Sequence, residues 1–260
     1  MIFAGIDIGS NTTKAALLEN NQIIATHILS SGYQHADTAD TILKALLNKA
    51  HRSESDIKTI ISTGYGRKSV SFADKAMTEI ICHAAGAHFI NPHIRGIIDV
   101  GGQDSKAISL DENANVNNFA MNDKCAAGTG RFIEVMARTL NVLLDHMGQL
   151  SLCSAHPSKI SAVCTVFAES EVISMIAKQE KREDIIAGIH EAAAARIIAL
   201  ATRIQIKEPI MMTGGVAKNI GMVAALEKRL NLQLIIDPLA QETGAIGAAV
   251  IASRQKFSRP

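Results

Sequence analysis

The chain has very few aromatic residues and no long apolar run. Tryptophan is absent, only 2 tyrosines occur among 260 residues, and aromatics make up 3% of the total. Proteins that bind single-stranded nucleic acid stack bases on aromatic side chains, so this composition argues against that role. No uninterrupted apolar run reaches the roughly 18 residues typical of a membrane-spanning helix. We therefore expect neither nucleic acid nor a membrane as a partner.

An excess of charge of one sign is also lacking, since 26 basic residues balance 25 acidic ones. Such a balance provides no field that would attract a polyanion. The opening sequence MIFAGIDIGS has no basic stretch followed by a long apolar core, so it does not resemble a signal peptide. The 4 cysteines do not form the repeating frame of a secreted disulfide scaffold. These absences predict a cytoplasmic protein.

The chain does contain ample material for a core, because 47% of its residues are hydrophobic. Its length suits one large domain or two small ones. Asn20 and Asn21 separate two apolar segments and predict a tight hairpin turn. The apolar patterns predict strands at 2–8, 13–19, 22–29, 58–63, 96–100, 106–110, 209–213 and 232–236, and helices at 37–50, 75–90 and 244–252. Because the order of strand, glycine pair and helix recurs, we expect an α/β protein with two similar lobes around a cleft.

Three loops share one design, in which a strand is followed by glycine or hydroxyl residues and by a lysine or an amide. We call residues 7–14 (DIGSNTTK) the first loop, 99–106 (DVGGQDSK) the second and 212–219 (MTGGVAKN) the third. Glycine lets backbone N–H groups approach phosphate oxygens, and lysine adds positive charge. A single glycine pair after a strand is usually a tight turn, but three such loops in one chain predict a nucleotide site. Neither a P-loop sequence nor a GxGxxG fingerprint is present.

Two cysteines stand at the start of predicted helices, Cys125 in NDKCAAGTGRF and Cys164 in AVCTVFAESEV. Four-iron clusters are normally held by four cysteines, so two thiolates are half of a ligand set, and a two-fold dimer would supply the rest. Several other interpretations stay open. The cysteines could fill the core, bind zinc or act as nucleophiles, although no histidine stands at a zinc-like spacing beside either one. Cys82 reads as a core residue and Cys153 as a spectator thiol.

The three loops resemble the phosphate-1, phosphate-2 and adenosine motifs of the acetate kinase–sugar kinase–Hsp70–actin superfamily. The resemblance implies two ribonuclease-H-like lobes with ATP and Mg²⁺ in a cleft between them. The first lobe would comprise residues 1–92 and 244–260, and the second residues 93–243. The small-residue segment 244–249 (GAIGAA) is similar to the superfamily's second connecting helix, where two helices cross closely.

This resemblance assigns roles to individual residues. Asp7 and Asp99 are expected to hold Mg²⁺, directly or through water, and Gln103 to orient the attacking water. The alternative for either aspartate is a turn or a strand-end cap. The phosphate-binding residues would be Ser10, Asn11, Thr12, Thr13, Lys14, Gly101, Gly102 and Gln103. The adenosine-flanking residues would be Gly214, Gly215, Lys218 and Asn219, with Gln241 nearby.

Nearly the whole chain resembles the activator ATPases of 2-hydroxyacyl-CoA dehydratases, the BadF/BadG/BcrA/BcrD type. The stretches that carry the resemblance are GIDIGSNTTK, STGYGR, DVGGQDSK, NDKCAAGTGRF, CTVFAESEVIS, DIIAGIH, MTGGVAKN and PLAQETGAIGAA. It implies a homodimer with one [4Fe–4S] cluster held by Cys125 and Cys164 of each chain. It also implies ATP-dependent one-electron transfer from a donor such as ferredoxin or flavodoxin to a partner dehydratase.

Three alternatives use the same motifs differently. The chain could be the ATPase subunit of a system like benzoyl-CoA reductase, a small-molecule kinase of the superfamily, or a non-redox nucleotide switch. A kinase needs an acceptor pocket, and few predicted elements are left to build one. Fold likeness alone does not separate these functions, whereas a measurement of bound iron does.

Overall fold

The computed structural model describes residues 1–161 and 164–254. Its strands are β1 (Ile2–Ile8), β2 (Thr12–Glu19), β3 (Gln22–Ser30), β4 (Ile57–Thr63), β5 (Lys75–Ala76), β6 (Gly96–Val100), β7 (Ser105–Leu110), β8 (Val116–Asn122), β9 (Ile210–Thr213) and β10 (Ile235–Ile236). Its helices are α1 (His35–Ala50), α2 (Glu79–Ile90), α3 (Gly130–Thr139), α4 (Met147–Leu152), α5 (Thr165–Ala177), α6 (Arg182–Arg203), α7 (Ile220–Leu230) and α8 (Thr243–Arg254).

The strands form two five-stranded sheets with the same order. The first sheet runs β3-β2-β1-β4-β5, and the second, read from its other edge, runs β8-β7-β6-β9-β10. In the first sheet β1 pairs antiparallel with β2 and parallel with β4. A parallel neighbour needs a crossover, which α1 provides between β3 and β4. Each sheet is therefore a copy of one topology, as the recurring sequence pattern predicts.

The chain divides into two compact units, whose bounds differ from those of the predicted lobes, in particular because the internal segment 110–117 belongs to the first unit. The first unit contains residues 1–97, 110–117 and 237–260, and the second contains 98–109 and 118–236. The predicted lobes are 1–92 with 244–260, and 93–243. Residues 255–260 of the predicted first lobe lie outside the described part of the chain.

Helices cover both faces of the first sheet. Helix α1 packs its apolar side, including Ile42 and Leu46, on one face of β1 and β2. Helix α8 lies on the other face, where Gly5 leaves no space for a Cβ beneath the backbone at Ala245. Gly247 of α8 likewise leaves no space for a Cβ above the backbone of Cys82 in α2. The predicted close crossing of a small-residue helix is therefore confirmed.

Helix α6 forms the centre of the second unit. By length and composition it is apolar enough to cross a membrane, but 61% of its most apolar window is buried within the structure. It packs against α4 and α7, and it contains the fully buried His190. Burial of this kind explains the apolar composition as that of a core helix.

Two predicted elements need correction, and one strand was not predicted. The helix predicted for 75–90 begins only at Glu79, because Lys75 and Ala76 pair with β4 as the short strand β5. The strand predicted for 232–236 is limited to Ile235 and Ile236. Strand β8 was not predicted, since its sequence VNNFAMN is too polar to read as a strand.

A matching glycine turn follows the strand beside the central one in each sheet. Gly64 follows β4 with φ of 91°, and Gly214 follows β9 with φ of 87°. A Cβ on Gly64 would lie 2.5 Å from Oδ1 of Asp7, and one on Gly214 would lie 2.9 Å from Oδ1 of Asp99. Only glycine combines this backbone conformation with such a close approach. The repeat therefore places one aspartate at the same point in each unit.

Candidate functional site

The first loop is the tip of the β1–β2 hairpin, and it brings together the two charged residues predicted to act there. Asp7 and Lys14 are register partners across the two strands. Nζ of Lys14 lies 3.4 Å from Oδ2 of Asp7, and their side chains are 13% and 7% exposed. Between them, the N–H of Gly9 donates to the carbonyl oxygen of Thr12. The loop thus presents a partly exposed lysine beside a mostly buried carboxylate.

Residues that sequence analysis did not assign to the nucleotide fix the shape of this loop. Ser31, at the end of β3, donates its hydroxyl to the carbonyl oxygen of Gly9 at 2.6 Å. The same hydroxyl lies 3.0 Å from Oγ1 of Thr13. On the other side, a Cβ at Gly244 would lie 2.9 Å from Oδ2 of Asp7 and 3.0 Å from Nε2 of His83. The signal available in the sequence was only that Ser31 and Gly244 are small.

Gln241 lies beside the first loop. Its side-chain nitrogen is 3.5 Å from Oγ1 of Thr12, and both residues belong to the first unit. Ser10, Asn11 and Thr12 are half-buried around the same tip, and Thr13 is buried. The structure therefore groups Gln241 with the predicted phosphate residues of the first loop, whereas its predicted neighbours in the third loop belong to the second unit.

The second loop repeats the aspartate–lysine pairing, but here the pair is buried. Nζ of Lys106 lies 3.2 Å from Oδ2 of Asp99 and 2.7 Å from Oδ2 of Asp104. The Lys106 side chain is 2% exposed. Thr213 donates its hydroxyl to the second oxygen of Asp99 at 2.9 Å. Asp99 is thus held from both sides by protein groups. Sequence analysis did not assign this role to Lys106 or to Thr213.

The remaining second-loop residues form an open turn. The N–H of Gly101 donates to the carbonyl oxygen of Asp104, and Gly101 and Gly102 are half-buried. The Gln103 side chain is exposed at the tip of this turn. An exposed amide next to backbone N–H groups is chemically able to orient water or to bind phosphate oxygen.

The third loop ends in a well-defined helix cap. Oδ1 of Asn219 accepts from the backbone N–H groups of Gly221 and Met222, both at 3.1 Å, and so caps α7. Its amide nitrogen lies 3.1 Å from Nε2 of His190. Since Oδ1 already accepts, the nitrogen must donate, and Nε2 of His190 must be the acceptor. Gly215 and Lys218 are exposed on the same loop.

His190 is the residue of this region that sequence analysis missed. It is fully buried in α6, and burial lowers its pKa to about 4. The imidazole is therefore neutral at physiological pH, with its proton on Nδ1 because Nε2 accepts from Asn219. Its only sequence signal was its place in the stretch DIIAGIH, 29 residues before Asn219.

The four cysteines fall into two groups. All are free thiols; Cys125, Cys153 and Cys164 are exposed, and Cys82 is buried. Burial raises the pKa of Cys82 to about 12, so that thiol stays protonated in the core of the first unit. The thiols of Cys125 and Cys164 are instead open to a ligand, and both belong to the second unit.

Cys125 lies in the loop between β8 and α3, and Asn122 holds it there. Oδ1 of Asn122 accepts from the N–H of Cys125 at 3.3 Å. Nδ2 of Asn122 donates to the carbonyl oxygens of Cys125 and Ala127, at 2.7 and 3.2 Å. One amide side chain thus fixes the backbone on both sides of the thiol. Sequence analysis quoted this asparagine in the motif but gave it no role.

Cys164 is the N-cap residue of α5, and its carbonyl oxygen accepts from the N–H of Ala168 at 2.9 Å. The preceding residues 162 and 163, quoted in the motif, lie outside the described part of the chain. Helix α5 packs against α3, with the hydroxyl of Thr139 donating to Glu169 at 2.9 Å. The helices that follow Cys125 and Cys164 are therefore neighbours.

The thiols of Cys125 and Cys164 fit part of a metal ligand set better than a complete set supplied by one chain. Among residues 1–161 and 164–254, no three His, Cys, Asp or Glu side chains are grouped as metal ligands. Of the three exposed thiols, Cys125 and Cys164 are the two predicted to bind iron, and two are half of what a four-iron cluster requires. A zinc site would need further nitrogen or sulfur ligands. A second copy of the chain would supply the missing pair.

The chain is similar to known proteins over nearly its whole length. A model of the BadF/BadG/BcrA/BcrD ATPase family matches residues 4–252. The chain is 46% identical over 253 residues to the (R)-2-hydroxyglutaryl-CoA dehydratase activating ATPase of Acidaminococcus fermentans, covering 96% of each. It is similar to the structure of (R)-2-hydroxyglutaryl-CoA dehydratase component A from that organism, at 44% identity, TM-score 0.94 and 98% coverage of both chains. It also resembles the activator of the 2-hydroxyisocaproyl-CoA dehydratase from Clostridium difficile with bound ADPNP, at 43% identity, TM-score 0.92 and full coverage.

A more distant likeness bears on the fold alone. A ROK family glucokinase from Streptomyces griseus, in complex with glucose and AMPPNP, matches with a TM-score of 0.59 at 14% identity. The match covers 98% of this chain and 100% of the glucokinase. Together with the two sheets of equal strand order, it confirms the predicted α/β fold class with two ribonuclease-H-like lobes.

Proposed function

The chain belongs to the BadF/BadG/BcrA/BcrD ATPase family, and we propose that within this family it is the ATP-dependent activator of a 2-hydroxyacyl-CoA dehydratase. The observation that carries the proposal is full-length similarity to proteins named as such activators, combined with the exposed thiols of Cys125 and Cys164 in one unit. The relatives are named for different acyl-CoA substrates. The acyl group therefore belongs to the partner dehydratase, whose active site this chain does not contain.

In the proposal, ATP binds to the three loops. The first loop holds phosphate oxygens through its backbone, its hydroxyl groups and Lys14, which already lies beside a carboxylate and is partly exposed. Gly101, Gly102 and the exposed Gln103 act from the second loop. The third loop, capped by Asn219, flanks the adenosine together with the exposed Lys218.

Mg²⁺ binding divides the two aspartates. Asp7 has one oxygen 3.4 Å from Lys14, a loose pairing that a metal ion can replace at small cost. Asp99 is gripped by the buried Lys106 and by Thr213, so water-mediated contact suits it better than direct coordination. Hydrolysis then consumes one ATP and one water and yields ADP and phosphate, with Gln103 orienting the water.

The redox part of the proposal uses Cys125 and Cys164. In a homodimer the two thiolates of each chain would hold one [4Fe–4S] cluster, which supplies a one-electron store. When bound, the cluster would accept one electron from a donor such as ferredoxin or flavodoxin and pass it to the dehydratase. Thiolates need a reducing compartment, and all four cysteines are free, which supports a cytoplasmic location.

The test is metal analysis of anaerobically purified protein. We expect about four irons and four acid-labile sulfides per dimer. Cys125→Ser and Cys164→Ser should each lose the iron and keep nucleotide binding. Cys153→Ser is the matched control, since Cys153 is equally exposed and lies in the same unit. Iron retained in Cys164→Ser, or four irons on a stable monomer, would contradict the shared cluster.

A second variant separates the nucleotide function from the redox function. Lys14→Ala should weaken ATP binding and leave the iron content unchanged, because Lys14 belongs to the first unit and both cysteines to the second. Loss of iron with normal nucleotide affinity would reverse the assignment of Lys14. A kinase or a non-redox switch would show nucleotide binding without iron in the wild-type protein.

A further inference from the structure

Helix α3, which follows the Cys125 loop, begins directly on the second loop. The N–H of Gly130 donates to the carbonyl oxygen of Gly101 at 2.9 Å. The N–H of Arg131 donates to the carbonyl oxygen of Gly102 at 2.8 Å. The first donors of a helix have no partner within the helix, so an outside acceptor normally satisfies them. Here the acceptors are the two glycines assigned to the ATP phosphates.

Glycine at position 130 is what permits this contact. A Cβ there would lie 3.1 Å from the carbonyl oxygen of Gly101 and 3.4 Å from Cα of Gly102. It would also lie 3.3 Å from Cγ2 of Val216 in the third loop. The start of α3 is thus wedged between two of the three nucleotide loops, and any added atom would force one of them to move.

The same turn is hydrogen bonded back to Ala126, the residue that follows Cys125. Thr129 donates both its backbone N–H, at 3.0 Å, and its hydroxyl, at 2.6 Å, to the carbonyl oxygen of Ala126. Asn122 in turn donates to Ala127 and to Cys125. Thr129 and Ala127 are fully buried, so this turn is packed in place. Hydrogen bonds at Gly130, Thr129 and Ala126 therefore connect the second loop with the Cys125 loop.

We propose that Gly130 is the positioning residue through which nucleotide occupancy of the second loop sets the position of the Cys125 loop. The inference rests on the proposed function, since it assumes a nucleotide at the second loop and a cluster at Cys125. A run of contacts becomes an energetic coupling only when both ends bias one equilibrium. Coupling is also reciprocal. The redox state of the cluster must therefore change the nucleotide affinity by the same factor by which the nucleotide changes the redox equilibrium of the cluster.

The experiment measures this factor in cluster-loaded dimers of the wild type, Gly130→Ala and Arg131→Ala. The dissociation constant of ADPNP is determined with the cluster oxidised and with it reduced by dithionite. For the wild type we expect the two constants to differ by at least about fivefold. In Gly130→Ala the ratio should fall to within about twofold of one, while the iron content stays near wild type.

Arg131→Ala is the matched control, because it removes an exposed side chain and keeps the backbone N–H that donates to Gly102. It should retain the wild-type ratio. A Gly130→Ala dimer that keeps the wild-type ratio overturns the inference, as does a wild-type dimer whose affinity is the same in both redox states. Wild-type protein without iron contradicts the proposed function instead, so the two failures are distinguishable.

A second measurement covers the case in which Gly130→Ala does not fold. Hydrogen exchange of the wild-type peptide 126–133 is followed with and without ADPNP. The amides of 130 and 131 should exchange several-fold more slowly when the nucleotide is bound, because their acceptors are then held in place. Exchange in α1, which carries none of the three loops, should not change. Equal exchange of the 126–133 peptide in both conditions contradicts the inference.

Discussion

Nε2 of His190 lies 3.1 Å from the amide nitrogen of Asn219, and this single contact fixes the orientation of both side chains. Asn219 must turn its oxygen toward the N-terminus of α7, where it accepts from two backbone N–H groups. His190 must then keep its lone pair on Nε2 and its proton on Nδ1. A buried neutral histidine in α6 thereby supports the cap that shapes the third loop.

Replacing this histidine should destabilise the second unit. His190→Leu leaves the amide nitrogen of Asn219 without its acceptor, which costs about 1 to 3 kcal/mol. Urea unfolding measures the loss, and the affinity for ADPNP should fall in the same variant. His156→Leu is the control, because His156 is exposed in the same unit. Equal unfolding midpoints for His190→Leu and wild type would show that the contact contributes nothing.

The pH dependence of stability should carry the signature of His190. Its pKa is about 4 in the folded protein, because burial disfavours the charged form, whereas the ordinary pKa of a histidine is 6.5. Between these values the unfolded chain binds the extra proton, so stability is lost as pH falls from 6.5 toward 4. The full loss is about 3 kcal/mol, and none of it appears above pH 7. In His190→Gln this part of the pH dependence should vanish when unfolding free energies are compared.

Gly64 should tolerate no side chain, in contrast to another glycine with the same sign of φ. Gly64→Ala combines a φ of 91° with a Cβ 2.5 Å from Oδ1 of Asp7. Gly32→Ala has a φ of 59°, but its nearest neighbour would be 3.9 Å away. Both variants incur backbone strain, and only Gly64→Ala also incurs atomic overlap. The free energy of unfolding of Gly64→Ala should therefore be at least about 2 kcal/mol lower than that of Gly32→Ala. Equal losses would mean that strain alone sets the cost.

Lys106 should matter for stability far more than its counterpart in the first loop. Lys106→Met leaves the carboxylates of Asp99 and Asp104 without their shared cation, and removing one partner of a buried pair costs about 3 to 5 kcal/mol. Lys14→Met affects a pair that is more exposed, so its cost should be smaller. Thermal or urea unfolding of both variants gives the comparison. A larger loss for Lys14→Met would contradict the different burial of the two pairs.

Asn122 should control how firmly the cluster is held. Asn122→Asp keeps an oxygen for the N–H of Cys125 but loses the donor to Cys125 and Ala127. Groups that orient metal ligands typically contribute about 10- to 100-fold to metal retention, so iron should transfer to a chelator faster by about that factor. Asn118→Asp is the matched control on the same strand. Unchanged iron transfer would show that Cys125 needs no such support.

Local signals explain why much of the fold was predictable. Asn20 and Asn21 adopt φ of 50° and 60°, as the asparagine pair predicted for a tight hairpin. Strand β1 was found from an apolar run that is buried almost throughout. Strand β8 was missed because its polar sequence does not read as a strand, although it pairs with the neighbouring β7. The start of α2 was misplaced because Lys75 and Ala76 pair with β4, a contact that local composition does not record.

The candidate site divides in the same way. Asp7 with Lys14 and Asp99 with Lys106 share one spacing, and the three glycine loops were visible as motifs. What decides the state of each pair is burial: 13% exposure for Lys14 and 2% for Lys106 follow from packing that no spacing encodes. The partnership of His190 with Asn219 likewise joins two elements through tertiary contact alone.

The discontinuity of the first unit has a consequence for synthesis on the ribosome. Helix α8 packs on β1, β2 and β4, yet it is the last helix of the described chain to be translated. The second unit ends at Ile236, before α8 emerges. Domains usually fold in the order in which they are made, but here β1, β2 and β4 stay uncovered on one face until α8 has been made. The nascent N-terminal segment is thus the part of the chain with the longest need for chaperone protection.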